Sequence, residues 1–282
     1  MSQITSIQSI VSLVAYHTFI WRMAVWCAAA HRFGIYCRSS NINGVLYFKQ
    51  SYRYIFAFTT MMRTLTVYHL GHIDYTAAWE MQRRLARQRS SGQIGDTLLL
   101  LEHPPTITLG NKARPEHIVA TPAELAARGV VVVQSDRGGE VTYHAPGQLV
   151  AYPIFKLSQH GSDVGRYVRG LEESVIRVLA GYGITGERVN GLTGVWVRGG
   201  AAKICAIGVK LSASGVTTHG LALNVDPDLS GFELIVPCGI SDRGVTSLAV
   251  ELGKAPPMAE VADRLIASLC AIFDLRPVNA LS

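Results

Sequence analysis

The chain has 282 residues, 49% of them apolar and 16% charged, enough for one large domain or two small ones with an ample core. Its formal charge of +6 comes mostly from the start: residues 1–60 hold Arg22, Arg32, Arg38, Lys49 and Arg53 and no acid, leaving 21 basic against 20 acidic residues beyond them. That near-balance excludes the basic footprint of a nucleic-acid-binding domain, and five cysteines without a CxxC exclude a disulfide framework or a paired Cys/His zinc site.

Residues 1–60 form a region of their own. Their most apolar stretch, Ile10 to Ala30, is interrupted by His17 and Arg22, whereas a spanning helix wants roughly 20 predominantly apolar residues. Absence of acid with scattered Arg and Ser also describes an organellar transit peptide. A third reading is a misassigned start, because Met61 and Met62 stand just before the first clean strand signal. We rank the misassigned start first, the transit peptide next and a membrane anchor last, and expect the working domain over 61–282.

From Thr64 the chain alternates strand and helix signals. Thr64–Leu70 is a β-rich alternating run. Asp74 can cap a helix through Ala77, Met81 and Leu85 to about Arg89, with its arginines on the outer face and in the late turns. Thr97–Leu101 reads as a short apolar strand stopped by Pro104 and Pro105. Thr121, Pro122 and Glu124 make a capping box with Pro at the first helical position, and Gly129 ends that short helix. Val130–Val133 and Leu149–Phe155 read as buried strands. Asp163 opens a longer helix with an apolar stripe from Val164 to Leu179, stopped by Gly181. Strands over Gly194–Val197, Lys203–Leu211 and Thr218–Val225 follow, and a last helix spans about Met258–Phe273. This mixture predicts one α/β (α+β) domain with a mixed β-sheet flanked by helices.

Four segments between Arg137 and Gly239 do not read as ordinary core. They are Arg137-Gly-Gly-Glu-Val-Thr-Tyr-His144 with Pro146-Gly147-Gln148 after it; Lys203-Ile-Cys-Ala-Ile-Gly208; His219-Gly-Leu-Ala-Leu-Asn224; and Pro237-Cys238-Gly239. Of Cys27, Cys37, Cys205, Cys238 and Cys270, only Cys238 sits between Pro and Gly, in a turn. A thiol of pKa about 8.5 is only a few per cent thiolate at neutral pH, so a nucleophilic Cys238 needs a nearby cation or helix N-terminus. The alternative is a small buried hydrophobe. Lys203, heading an otherwise apolar strand, is the candidate cation; a solvated edge lysine is the alternative. Burial would lower its pKa and a thiolate partner would raise it. Cys205 alternates with Lys203, shares its face by that pattern, and is the rival nucleophile, but its strand setting favours packing. Two glycines at 138 and 139 permit close approach of a ligand to backbone. His144 and His219 stand beside small residues, as pocket groups or satisfied core histidines.

The order and spacing of these segments, with Glu102-His-Pro-Pro-Thr-Ile-Thr-Leu-Gly110 before them and Tyr152-Pro-Ile154 among them, closely resemble the octanoyltransferase family of lipoate biosynthesis. The resemblance covers about residues 66–250 and implies the biotin/lipoate protein ligase-like fold. It implies that Cys238 carries the acyl thioester and that Lys203 lowers its pKa and handles the proton. The acyl substrate would be lined by Arg137, Gly138, Gly139, Glu140, Val141, Thr142, Tyr143 and His144, by Ala206, Ile207 and Gly208, and by Gly220, Leu221 and Ala222. The implied donor is octanoyl-acyl carrier protein. The implied acceptors are lipoyl domains of 2-oxoacid dehydrogenases and the glycine cleavage H protein, with no cofactor, no ATP, no metal and no nucleic acid. A local basic patch, including Lys112 and Arg114, would dock the acidic carrier. A cytoplasmic monomer is expected, or a mitochondrial or plastid protein if residues 1–60 are a transit peptide. An ATP-dependent lipoate or biotin ligase, a transferase between lipoyl-bearing proteins, a carrier-binding module and a thioesterase are the competing readings.

Overall fold

A computed structural model describes residues 63–236 and 243–280, and before them only the backbone of 39–42 and 45–48. The contacts divide the chain into two units, Met1–Met61 and Met62–Ser282. In the first, β1 (Ser39–Ile42) pairs antiparallel with β2 (Val45–Phe48). Ile10–Ala30 lies outside the described residues.

The second unit begins with β3 (Arg63–His72), α1 (Tyr75–Ser90), β4 (Asp96–Glu102) and β5 (Thr106–Leu109). Then come α2 (Pro122–Ala127), β6 (Val131–Gln134), β7 (Val141–His144), β8 (Gln148–Ile154) and α3 (Val164–Ala180). Its second half holds β9 (Glu187–Val189), β10 (Leu192–Val197), β11 (Ala202–Leu211) and β12 (Thr217–Asn224). It closes with β13 (Gly244–Val245), α4 (Leu248–Leu252), α5 (Met258–Phe273) and β14 (Leu275–Asn279).

The main sheet runs β14-β3-β4-β8-β12-β11-β10-β9, with β13 added on β11. The β14–β3–β4 part is parallel, and β4 through β9 pair antiparallel. The sheet is mixed, as the sequence predicts. Its helices cover both faces, which explains why β4 and β8 are buried almost throughout, with the unbroken apolar run Leu98–Leu101 in β4, rather than alternating. Leu98 and Leu100 of β4 and Leu149 and Ala151 of β8 face a core with α3 and α5; Leu99, Leu101, Val150 and Tyr152 face α1 through Ala78 and Leu85. Each such leucine contributes about 1.5–3 kcal/mol by leaving water.

The helix starts follow the local chemistry. Asp74 Oδ1 accepts from Thr76 N and Ala77 N at 2.8 and 3.2 Å, and the Thr121–Glu124 capping box is complete. Two expectations fail. Arg89, in the last turn of α1, is buried, because Asp96 draws its Nε to 2.8 Å beneath the helix. Val130–Val133 is not a buried strand: Val131 and Val132 are 54% and 40% exposed. β6 is the edge of a separate three-stranded sheet, β6-β5-β7, and nothing covers those side chains among the described residues. A run of β-branched residues marks strand but not burial. Among the described residues no helix is long and apolar enough to cross a membrane.

Candidate active site

One cavity is lined by three of the four segments that the sequence singles out. The loop before β7 and β7 itself supply Arg137, Gly139, Glu140, Val141, Thr142 and His144; β11 supplies Lys203, Ala206, Ile207 and Gly208; β12 supplies Gly220, Leu221 and Ala222. Pro237-Cys238-Gly239 lies outside the described residues.

Two expected residues are set back from the cavity. Gly138 spends its N–H on Val209 O at 2.9 Å, tying the loop to β11. Tyr143 leaves the opposite face of β7 from Thr142 and His144, and meets Phe232 edge-on with ring centroids 5.5 Å apart. Cys205 is set back as well. Opposite it the β10–β11 register shifts between Val195 and Trp196, so the simple alternation that paired it with Lys203 fails. Cys205 sits fully buried in the main core, and burial pushes its thiol far up, which removes it as a nucleophile at neutral pH.

Close backbone approach explains the glycines at 208 and 220. A Cβ on Gly208 would stand 2.8 Å from Gly138 O, and one on Gly220 would stand 2.2 Å from Ala151 O. Any side chain there would push the loop from β11, or β8 from β12. Thr193 also lines the cavity. Its neighbour Gly194 donates its N–H, at 3.2 Å, to Glu172, a fully buried carboxylate on α3 that pairs with Arg169 and Arg188. The Lys203 ammonium lies 4.7 Å from the centre of the Trp196 ring. Its carbonyl accepts from Thr246 N at 3.0 Å, and Val245 pairs with Lys203 in the β11–β13 ladder.

Arg137 is buried and clamped to β5. Its Nε donates to Thr108 Oγ1 at 3.1 Å and its Nη2 to Thr108 O at 2.7 Å, while Nη1 reaches Gly138 O at 3.1 Å. Its charge, with burial, keeps the nearby histidines neutral. Burial above all holds His144 well below the ordinary histidine range, with His103 and Arg137 adding to the effect. Gln148 Nε2 donates to Tyr143 O at 3.1 Å and Asn224 Oδ1 at 3.0 Å, so its Oε1 accepts from His144 Nδ1 at 3.1 Å. His144 is thereby the Nδ1–H tautomer, and Nε2 is an acceptor.

His103 is fixed the same way. Its Nδ1 donates to Ile73 O at 2.8 Å, and its Nε2 accepts from Tyr152 Oη at 2.8 Å. Burial drops its pKa to about 4. Tyr75 stacks on His144 with centroids 5.9 Å apart and shares a 2.8 Å hydrogen bond with Ser135 Oγ. His219 donates from Nε2 to Asp136 Oδ1 at 2.7 Å, and burial lowers its pKa against the opposing pull of Asp136. It holds φ at +57° inside β12, a conformation that an ordinary L residue adopts at a cost.

Tyr75 and Thr193 are cavity residues that the sequence reading does not single out, and Tyr152 enters it only within the Tyr152-Pro-Ile154 run. One signal was available: a tyrosine in an all-apolar strand needs a polar partner, and Tyr152 finds it in His103 of the Glu102-His103-Pro104 run. Among the described residues no group of three or more His, Cys, Asp or Glu is arranged to hold a metal. The arrangement offers a lysine, a neutral imidazole acceptor and glycine backbone around a small-residue cavity. Such a set can bind a carbonyl and relay a proton.

A family model described as the lipoyl protein ligase A/B catalytic domain matches residues 74–270. An octanoyltransferase of Chloroflexus aurantiacus is 83% identical over 222 residues, spanning 78% of this chain and 100% of that protein. An octanoyltransferase of Roseiflexus sp. is 71% identical over 216 residues, spanning 77% of this chain and 90% of that one. Among solved structures, the bi-partite lipoate protein ligase of Thermoplasma acidophilum superposes with a TM-score of 0.59 at 17% identity, over 79% of this chain and 88% of that one. That last likeness is one of fold.

Proposed function

This chain belongs to the family of lipoyl protein ligase A/B catalytic domains and is an acyltransferase of the octanoyltransferase kind; from that premise we propose that it moves octanoyl from an acyl carrier protein to a lysine of a lipoyl domain through a thioester on Cys238. The observation that carries this reading is Lys203 on the wall of a cavity built from the three glycine-bearing segments. Chain connectivity supports it. Val236 N donates to His117 O at 2.8 Å, and Gly244 and Val245 pair with Ala202 and Lys203, so seven residues, 237–243, lie in the chain between that hydrogen bond and the strand beside the lysine.

The chemistry runs in two halves. Cys238 Sγ⁻ attacks the carbonyl of the donor thioester, the carrier's thiolate leaves and takes the proton of the Lys203 ammonium, and the acyl group stays on sulfur. The acceptor's ε-amine then attacks that carbonyl, loses a proton to neutral Lys203, and Cys238 leaves as thiolate. The thioester keeps the acyl group activated, so no ATP is consumed. Backbone N–H groups of the glycine-bearing loops suit the tetrahedral oxyanion. The cavity wall of Ala206, Ile207, Leu221 and Ala222 is apolar, as an alkyl chain requires. We assign catalysis to residues 61–282, and expect the lipoyl domains of 2-oxoacid dehydrogenases and the glycine cleavage H protein as acceptors and the cytoplasm as its place of work.

The test is transfer itself. Octanoyl-carrier protein and a lipoyl domain are mixed with the enzyme in the absence of ATP, and octanoylated lipoyl domain is measured. Turnover that ATP does not enhance supports the proposal. Turnover from free octanoate that requires ATP would make the chain a ligase, and release of octanoate with no acceptor modified would make it a thioesterase.

A further inference from the structure

On the other side of the Asp136–Arg137 peptide lies a second, larger and open groove of ≈ 420 Å³. Its floor is a stripe of α1: Trp79, Arg83, Arg87 and Ser90 recur at one face of the helix. Its far wall holds Asp136, Lys210 and the hydroxyl-bearing Ser212 and Ser214. Neither Arg83 nor Arg87 has a carboxylate partner among the described residues, and both are exposed. The single acid, Asp136, is already met by Lys210 Nζ at 2.5 Å and by His219 Nε2 at 2.7 Å. With His219 neutral, the groove therefore carries a net charge of +2 beside a cavity whose imidazoles are uncharged.

The groove and the acyl cavity share their walls, residue by residue. Asp136 faces the groove and Arg137 the cavity; Thr218 faces the groove and His219 the cavity; Lys210 follows Gly208 by two on the same strand. The two openings are thus neighbours, divided by the Asp136–Arg137 and Thr218–His219 steps. Guanidinium forks beside hydroxyls suit a phosphate better than a broad carboxylate surface.

We propose that this groove, through Arg83, Arg87 and Lys210, receives the phosphodiester of the acyl donor's phosphopantetheine arm while the acyl end enters the neighbouring cavity. This deepens the transferase reading and rests on it for the identity of the arm. Arg83 and Arg87 are then positioning residues for the donor, and the acceptor does not depend on them.

The test is a calorimetric titration of the protein with 4′-phosphopantetheine and with pantetheine, which differ only in the phosphate. The wild type binds the phosphorylated arm about tenfold more tightly, as for charge-assisted hydrogen bonds at exposed sites. Arg83→Ala/Arg87→Ala abolishes the difference, Arg83→Lys/Arg87→Lys keeps part of it, and Arg84→Ala, on the exposed helix surface outside the groove, leaves it whole. Equal binding of both compounds by the wild type, or a preference that survives the double alanine variant, overturns the proposal. Transfer from octanoyl-carrier protein to a lipoyl domain then separates the two readings. Phosphate-dependent binding with no acyl transfer from that donor would overturn the transferase reading and leave the groove standing.

Discussion

His144 and His160 both bury their imidazoles in the same sheet-and-helix unit, yet their surroundings are opposite. His160 gives Nε2 to Asp96 Oδ2 at 2.6 Å, and Asp96 also takes Arg89 Nε at 2.8 Å and Lys156 N at 3.1 Å. Burial alone would raise the Asp96 pKa; the His160 and Arg89 hydrogen bonds outweigh it and hold the carboxyl below its ordinary value. His144 meets an amide, a ring and a guanidinium instead, and stays neutral. One region saturates its charges to hold β4 against α1 and the start of α3. The other withholds counter-charge and so keeps acceptor groups in a cavity. Burial therefore does not mark function here; what the buried group lacks does.

Variants should separate the two regions by readout. Lys203→Met should cut the transfer rate about 10²–10⁴-fold, the usual range for a lost proton-handling group, with the melting temperature little changed. Rate loss matched by loss of fold would place Lys203 with the structural cluster. Asp96→Ala should do the reverse. It strands Arg89 and His160 beneath the helix and should lower unfolding free energy by about 3–5 kcal/mol in a denaturant titration, with kcat per folded molecule retained.

The acid response sharpens the contrast. The His103 pKa is lowered from 6.5 to about 4, so between those values the unfolded chain binds the proton that the folded chain refuses. His103 alone should therefore lower stability by about 3 kcal/mol as pH drops from 6.5 to 4, His144 and His219 adding to that fall. The Asp96 contribution has the other acid signature: it is present above the unfolded carboxyl value and disappears only as pH falls through its lowered folded value. Equilibrium unfolding at a series of pH values, repeated in His103→Gln, should show the first loss shrink by the His103 share, with the shares of His144 and His219 and the Asp96 loss remaining.

The smallest effect is expected from Gly208→Ala. Its Cβ would stand 2.8 Å from Gly138 O, so the 137–140 loop must shift, costing about 1–3 kcal/mol. Acyl transfer should suffer more than stability, because that loop carries cavity residues; measuring KM for the donor beside the denaturation midpoint checks this.

Much of this was legible in the sequence where local chemistry decides. Caps at Asp74, Thr121 and Asp163 give the helix starts, and glycine-bearing segments mark three cavity walls. What escaped depends on contacts far apart in the chain. Val131 and Val132 look like core until the small sheet is seen to leave β6 at its edge. Arg89 looks like a surface residue until Asp96 is seen beneath it. Cys205 looks like a partner of Lys203 until the irregular β10–β11 pairing, which leaves Ile204 between them as an extra residue, is known. Tyr75 and Tyr152 become site residues only when α1 and β8 bring them to His144 and His103.

The central claim is a covalent one, and intact mass tests it most directly. The protein is incubated with octanoyl-carrier protein without ATP and weighed before and after a lipoyl domain is added. One octanoyl group should appear, be absent in Cys238→Ala, and be discharged to the lipoyl domain. A wild-type mass that does not change while transfer proceeds, or an adduct that persists in Cys238→Ala, would contradict the account.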